Sequence, residues 1–232
     1  MIFHKPFKQL LALTLVFTFM VSSCGTKQEV QPTPQTVDKK VDLKALSVQM
    51  ASDADFKNYV LKIAEVYKGQ SKFMHEQYQG DAKAYQNDVN TIYEANARTG
   101  WSETRVAQLD EKMGLAQGSL MDLVSKRQVV LTKFTVLSKL SEKEMQEVVA
   151  GSLRLMADNA GMRTNNACKE ACTFDYLACV ATATGVSIGL LAACAAITFP
   201  PAVAACVAVI VIGDVFVVGG CYFSLLACER RC

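Results

Sequence analysis

Apolar residues recur every three to four positions through the middle of the chain, from about residue 42 to residue 160. One such stripe follows Asp53 and contains Phe56, Tyr59 and Ile63. This period is that of an amphipathic α-helix whose apolar face packs against a core. The pattern therefore predicts several helices, arranged as a helical bundle or as a long helical hairpin.

Short polar signals predict where some of these helices begin. Asp53 and Ser102 each precede an apolar stripe and are residue types that favour the N-cap. Ser141 and Glu144 have the spacing of a capping box, in which each residue satisfies a backbone N–H near the other. We therefore expect helices to begin at these three places.

Glycines predict where the same helices end. We expect the stripe after Asp53 to stop near Gly69, because glycine is a frequent helix terminator. Gly80 predicts a break in the next element. No glycine interrupts residues 120–140, so this segment is expected to form one helix.

The C-terminal segment, residues 166–232, is much more apolar than the middle of the chain. Residues 203–218 are hydrophobic nearly all round a helix, with Asp214 as the one interruption. A helix of this kind must be covered by protein or by lipid. Two arrangements are open at this point: insertion of this segment into a membrane, or coverage by the middle helices.

Eight cysteines in this segment follow a mirrored spacing. The intervals between them read the same in both directions and are centred on Pro200. Two antiparallel helices of equal pitch need such a mirror if facing cysteines are to be bonded. We therefore predict an all-α fold that ends in an antiparallel α-hairpin, turning at residues 198–201. Four nested disulfides would link it: Cys168–Cys232, Cys172–Cys228, Cys179–Cys221 and Cys194–Cys206.

Metal binding is the other interpretation of clustered cysteines. Zinc sites commonly use cysteine pairs two residues apart on a knuckle, or histidine as a further ligand. The cysteines here have longer, helical intervals, no histidine lies near them, and no Cys-x-x-Cys redox motif occurs. The sequence therefore favours structural disulfides and predicts no metal ligands.

Asp214 lies on the same helical stripe as the cysteines of the second arm. An ionisable residue within an apolar helix is a functional candidate. The alternative is a buried carboxyl group that is hydrogen-bonded to Thr182 or Ser187, both near its mirror position. The second interpretation is the more common one for a single buried carboxyl group.

The N-terminus has the pattern of an export signal. Lys5 and Lys8 precede an apolar run over residues 10–21, which is short for a membrane span. The following segment, Val21-Ser22-Ser23-Cys24, resembles the lipobox of bacterial lipoproteins. This resemblance implies a signal peptide over residues 1–23, lipidation of Cys24 (palmitate among the acyl chains) and membrane lipid as a partner. It implies a cell-envelope location, on the outer membrane or surface of a Gram-negative bacterium, where disulfides persist.

These patterns divide the chain into four parts. After the signal peptide, residues 24–41 form a polar, proline-containing tether. Residues 42–165 form the helical domain, and residues 166–232 form the cysteine-rich apolar hairpin. A chain of 232 residues is long enough for this arrangement to bury a substantial core.

Composition and motifs give no indication of an enzyme. The chain has two histidines, His4 and His75, and no glycine-rich phosphate loop, paired-histidine motif or nucleophile elbow. The formal net charge is only +2, which does not favour a nucleic-acid partner. We expect no catalytic residues and no cofactor.

The C-terminal segment resembles the halocin-type bacteriocin domain. The similarity rests on clustered cysteines, on Gly189-Leu190-Leu191 beside Cys194, and on the turn at residues 197–200. Such peptides form the C-terminal part of an exported precursor whose N-terminal part can confer immunity, and the resemblance implies membrane damage in competing cells. Three hypotheses follow: a lipid-anchored, membrane-active hairpin; a structural or interaction lipoprotein with a sheathed hairpin; and a thiol–disulfide enzyme.

Overall fold

The fold is all-α. A computed structural model describes residues 41–160, 165–184, 194, 197–213 and 215–232, which form nine α-helices, one 3-10 helix and no strand. The α-helices are α1 (Leu43–Ala51), α2 (Ala54–Tyr78), α3 (Ala82–Thr99), α4 (Glu103–Lys112), α5 (Ser119–Lys133), α6 (Glu142–Ala160), α7 (Asn165–Thr184), α8 (Pro200–Gly213) and α9 (Val215–Glu229). The predicted fold class is confirmed.

The predicted helix starts are also confirmed. The Asp53 carboxylate accepts hydrogen bonds from the Asp55 and Phe56 N–H groups at the start of α2. Ser102 caps α4. Ser141 and Glu144 form the reciprocal capping box, since each side chain accepts the backbone N–H of the other residue. These starts follow from local sequence because each cap contacts residues only two or three positions away.

One predicted helix end is wrong, because α2 continues through Gly69 to Tyr78. Gly69 lies inside the helix against the α4–α5 loop, where an added Cβ would lie 3.2 Å from Leu115 Cδ2. The glycine therefore permits close packing and does not end the helix. The predicted break at Gly80 is confirmed, and Gly80 has a positive φ of 83°.

The segment 120–140 also differs from its prediction. Helix α5 ends at Lys133, and Phe134 leaves the helical conformation with φ −109° and ψ 61°. A 3-10 helix, Thr135–Lys139, follows. Phe134 and Leu137 are both buried, so the change in winding keeps these two large side chains in the core.

The corner between α4 and α5 is fixed by two tertiary contacts. Gly114 has φ 73°, and a Cβ there would lie 2.1 Å from Phe73 Cγ, so only glycine fits against α2. Asp110 is buried and accepts the backbone N–H groups of Gly118 (2.8 Å) and Leu120 (3.0 Å) at the start of α5. The corner thereby orients α5, which is one of the helices that cover α8.

The C-terminal segment contains an antiparallel pair and a separate apolar helix. Helices α7 and α9 lie side by side, and α7 also packs against α2 and α6. The second arm is described as α8 and α9, which lie on either side of residue 214, a position outside the described residues. Helix α8 packs against α3, α4 and α5. We call α2 to α6 the sheath helices.

One hydrophobic core contains buried residues from both the middle of the chain and the C-terminal segment. The sequence boundary predicted after residue 165 lies at the first residue of α7, which begins at Asn165. The middle of the chain and the C-terminal segment differ in composition, yet their described residues pack in the same core.

Candidate functional site

Three disulfides join α7 to α9 and to Cys232, three residues beyond the end of α9. They link Cys168 to Cys232, Cys172 to Cys228, and Cys179 to Cys221, with Cα–Cα distances of 5.7, 5.8 and 5.9 Å. We call this set the disulfide ladder. Its cysteines lie along facing stripes of two antiparallel helices, which is the arrangement that the mirrored spacing predicts.

The fourth disulfide joins Cys194 to Cys206 in α8, with a Cα–Cα distance of 6.0 Å. The turn that precedes α8 lies where the sequence places it: residues 197–199 are not helical, and α8 begins at Pro200. The Phe199 carbonyl accepts the N–H groups of Ala202 and Val203. Proline suits the first helical positions, since the missing N–H would have no partner there.

Ion pairs attach the open end of the hairpin, which is the end opposite the turn at residues 198–201, to α2. Lys57 pairs with Glu170 on α7, and Lys68 Nζ lies 2.6 Å from Glu229 Oε1 on α9. Lys57 Nζ also lies 5.9 Å from the centroid of the buried Phe174 ring. Helix α2 therefore contacts both α7 and α9, the two helices that the ladder joins, through charged side chains.

Helix α8 is buried on most of its circumference. Val207 is fully buried, whereas Val209 is 39% exposed, so only a narrow strip of the helix faces outward. The buried residues of α8 are Pro201, Val203, Ala204, Ala205, Val207, Ala208, Val211 and Ile212. The part of this apolar run that lies in α8 thus packs against α3, α4 and α5.

Two glutamines of the sheath helices bind the C-terminal carbonyls of α8. Gln70 Nε2 on α2 donates to the Val211 carbonyl at 3.2 Å, and Gln86 Nε2 on α3 donates to the Ile212 carbonyl at 2.9 Å. The last carbonyls of a helix lack partners within that helix. These side chains supply partners where α8 ends, in a region that is otherwise apolar.

Two buried tyrosines, one on α3 and one on α7, lie beside polar side chains of α2. Desolvation by burial raises the pKa of Tyr85, which is next to Gln70, and the pKa of Tyr176, which is next to Ser71. Both phenols are therefore neutral near pH 7 and act as uncharged polar groups. Burial likewise raises the pKa of Asp110, although the backbone N–H groups that it accepts oppose this shift.

The outer face of α9 carries an exposed aromatic residue. Phe223 is 63% exposed, and its ring meets the His75 ring edge-on, with centroids 6.4 Å apart. A groove of about 430 Å³ between α2 and α9 is lined by residues that include Tyr222, Leu226 and Arg230. Phe199, at the turn before α8, is also exposed.

Two predicted site residues lie outside the described residues. They are Cys24, the expected lipidation position, and Asp214, between α8 and α9. Thr182 and Ser187, the hydrogen-bond partners considered for Asp214, are not described at the side-chain level either. Their roles remain predictions.

Sequence reasoning did not identify the polar side chains that fix α8 and α5. Gln70 occupies the apolar stripe of α2, three positions after Tyr67 and four before Met74. Asp110 likewise follows the buried Leu109 on α4. In both cases the sequence signal was a polar residue among the apolar positions of an amphipathic helix. The partner of Gln70 is distant in sequence, and the partners of Asp110 lie across a loop.

Comparison with known proteins gives no match to a family model, to a curated protein or to a solved structure. Within the described part of the chain, no helix has both the length and the apolar character needed to cross a membrane.

Proposed function

We propose that this chain is an exported, lipid-anchored envelope protein whose sheath helices keep an apolar, disulfide-linked hairpin covered. The burial of α8 against α3, α4 and α5 carries this proposal. Helix α8 is hydrophobic nearly all round, so exposure of the whole helix to water would be costly. The sheath helices remove that cost without lipid.

The polar contacts support the same function. Gln70 and Gln86 provide hydrogen bonds to α8 that an acyl-chain environment lacks. Lys57 and Lys68 neutralise carboxylates on α7 and α9. These contacts favour a hairpin that is stably held by its own chain.

The soluble behaviour of residues 25–232 tests the sheath. This fragment contains every described helix and is expected to be monomeric and monodisperse without detergent, in light scattering and sedimentation. It should also leave dye-loaded vesicles intact. Aggregation that detergent reverses would contradict the proposal, because it would mean that the hairpin lacks a protein cover.

The lipid anchor at Cys24 is supported by the lipobox-like segment and the preceding apolar run. We expect mass spectrometry of the mature N-terminus to find Cys24 as the first residue, carrying acyl chains. Cys24→Ser should release the protein from the membrane fraction or leave it unprocessed. A Cys24→Ser protein that is processed and retained like the parent would refute the anchor and leave the sheath untouched.

A second candidate function is membrane damage by an uncovered hairpin. The observation that favours it is the apolar surface of α8 together with the exposed Phe199 and Phe223, since aromatic and apolar side chains enter bilayer interfaces. Under this hypothesis the sheath helices store the hairpin in an inactive form, as the bacteriocin resemblance implies.

A protease site in place of residues 161–164 tests the second candidate. This replacement lies between α6 and α7 and keeps all four disulfides within the C-terminal piece. The uncleaved protein should be inert, and cleavage should produce vesicle leakage if the hairpin is membrane-active. No leakage after cleavage, including after separation of the pieces in mild denaturant, would exclude this function and favour a purely structural or interaction role.

A further inference from the structure

Helices α1 and α6 form the walls of a surface groove of about 690 Å³. Two buried serines fix the walls to each other: Ser47 Oγ lies 3.1 Å from the Val148 carbonyl oxygen, and Ser152 Oγ lies 3.1 Å from the Ser47 carbonyl oxygen. A Cβ added at Gly151 would lie 3.0 Å from Ser47 Oγ, so the two helices approach closely at this point. The groove is therefore a preformed feature of the fold.

Part of the groove is apolar. Leu43, Ala150 and Leu155 line it and are half-buried. Val48 also lines the groove and is 52% exposed. Apolar surface that is rimmed by charged residues is typical of interaction sites. The groove is thus a candidate contact surface, and its charges indicate the chemistry of the partner.

Cations predominate among the charged residues of the groove. Lys44 on α1 and Lys143 and Arg154 on α6 are exposed, and none of the three forms an ion pair with a residue that the structure describes. Glu147 is the one acidic residue in the lining. By contrast, each lysine of α5 lies against a carboxylate. The groove therefore presents an excess of positive charge, which favours an anionic partner.

The groove lies at the first described helix after the proposed lipid anchor. Leu43 is the first residue of α1 and also lines the groove. About 20 residues separate Leu43 from Cys24, and a chain of that length spans at most about 70 Å. Among the described helices, α1 is therefore the one that an anchor at Cys24 restrains most closely to the bilayer.

We propose that the α1–α6 groove binds the head groups of anionic phospholipids in the membrane to which the chain is anchored. This inference rests on the proposed lipid anchor. The lysines and the arginine donate hydrogen bonds to lipid phosphate oxygens, and the surface potential of an anionic leaflet attracts basic residues that lie close to it. Val48 contacts the glycerol region, where buried apolar area adds to the binding. Contact at the head groups leaves α8 in place against α3, α4 and α5.

Residues 25–232 provide a soluble form in which this binding is measured without acyl chains. Lys5 and Lys8 are the only charged residues before Cys24, so this form has no formal net charge, and its attraction to an anionic surface must come from a local cluster of cations. One variant removes the three cations of the groove: Lys44→Gln, Lys143→Gln and Arg154→Gln. The matched control removes three exposed cations of α3 and α4: Lys83→Gln, Arg98→Gln and Lys112→Gln.

Flotation with vesicles measures the partition of each protein at low ionic strength. The parent should bind vesicles that contain phosphatidylglycerol and should not bind vesicles of phosphatidylcholine alone. The groove variant should bind the anionic vesicles about 100-fold more weakly, because each basic residue near such a surface contributes roughly a fivefold attraction. The control should bind like the parent, and added salt should weaken the binding of the parent.

Three results would overturn the proposal: no binding of the parent to anionic vesicles, equal binding to both kinds of vesicle, or equal losses in the groove variant and the control. Sedimentation tests a second copy of the chain as the occupant, and a parent dimer that the groove variant loses would overturn the proposal in favour of self-association. None of these results depends on acylation of Cys24, which mass spectrometry of the mature N-terminus tests separately.

Discussion

The two apolar parts of the C-terminal segment are stabilised by different means. Helices α7 and α9 are joined by the three bonds of the disulfide ladder, are ion-paired to α2, and leave Phe223 exposed. Helix α8 has one disulfide, to Cys194, and packs against α3, α4 and α5. The first part therefore carries three covalent links, whereas the second carries one and is buried on most of its circumference.

This difference shows that similar composition does not imply similar energetics. Both parts are rich in alanine, valine and cysteine. Burial stabilises in proportion to the apolar area removed from water, whereas a disulfide acts largely by restricting the unfolded chain. Substitutions in α8 should therefore act through packing, and those in the ladder through the unfolded state.

The largest effect is expected from a charge in the buried face of α8. Val207→Asp places a carboxylate at a fully buried position without a cationic partner. An uncompensated buried charge costs about 3–5 kcal/mol, so urea titration should find a large loss in the free energy of unfolding, or no folded protein.

Val209→Asp is the matched control, since the same residue type on the same helix is 39% exposed. A surface change of this kind should cost less than about 1 kcal/mol. Equal losses in the free energy of unfolding for the two variants would contradict the difference in burial between Val207 and Val209.

The second-largest loss in the free energy of unfolding is expected from removal of one bond of the disulfide ladder. Replacing Cys179 and Cys221 together by alanine opens a bond between residues 42 positions apart. Loss of such a bond typically costs about 2–4 kcal/mol. Urea denaturation measures the difference, which should disappear when both proteins are compared in a phosphine reductant. A difference that persists after reduction would assign the effect to packing.

A smaller effect is expected from the glutamine contacts at the end of α8. Gln86→Met keeps the length of the side chain but removes the donor to the Ile212 carbonyl, and loss of one such hydrogen bond costs about 0.5–1.5 kcal/mol. Gln128→Met is the control, because the exposed Gln128 makes a long contact to Thr132, at 3.4 Å. If the two variants are equally stable in urea, the Gln86 contact does not stabilise α8.

The smallest effect should come from the ion pairs at the open end. Lys68→Ala removes the pair with Glu229, and partly exposed ion pairs contribute about 0.2–1 kcal/mol. Lys72→Ala, in which the exposed lysine lies 3.9 Å from Glu76, should be close to neutral. Added salt should reduce the Lys68 effect, and an effect that grows with salt would exclude an electrostatic origin.

Features that depend on local or symmetric sequence could be predicted. The caps at Asp53, Ser102 and Ser141 follow from residues within one helical turn. The disulfide pairing follows from mirrored intervals, because two facing helices have the same pitch. The all-α class follows from the three-to-four periodicity of the middle helices.

Features that depend on distant neighbours could not be predicted. Gly69 lies within α2, where Leu115 from the α4–α5 loop packs closely against it. Gln70 finds its partner 141 residues further along the chain. The sequence also left the cover of α8 open, since an all-round apolar helix fits lipid and protein equally well. The lipid anchor at Cys24 and the role of Asp214 stay predictions.

Hydrogen exchange in α8 tests the central claim most directly. The backbone amides of residues 204–212 are measured in residues 25–232, with and without lipid vesicles. If the sheath helices cover α8, these amides should be among the slowest in the protein and should exchange at the same rates when vesicles are present. Fast exchange in buffer that vesicles slow down would contradict the account and would identify lipid as the cover of α8.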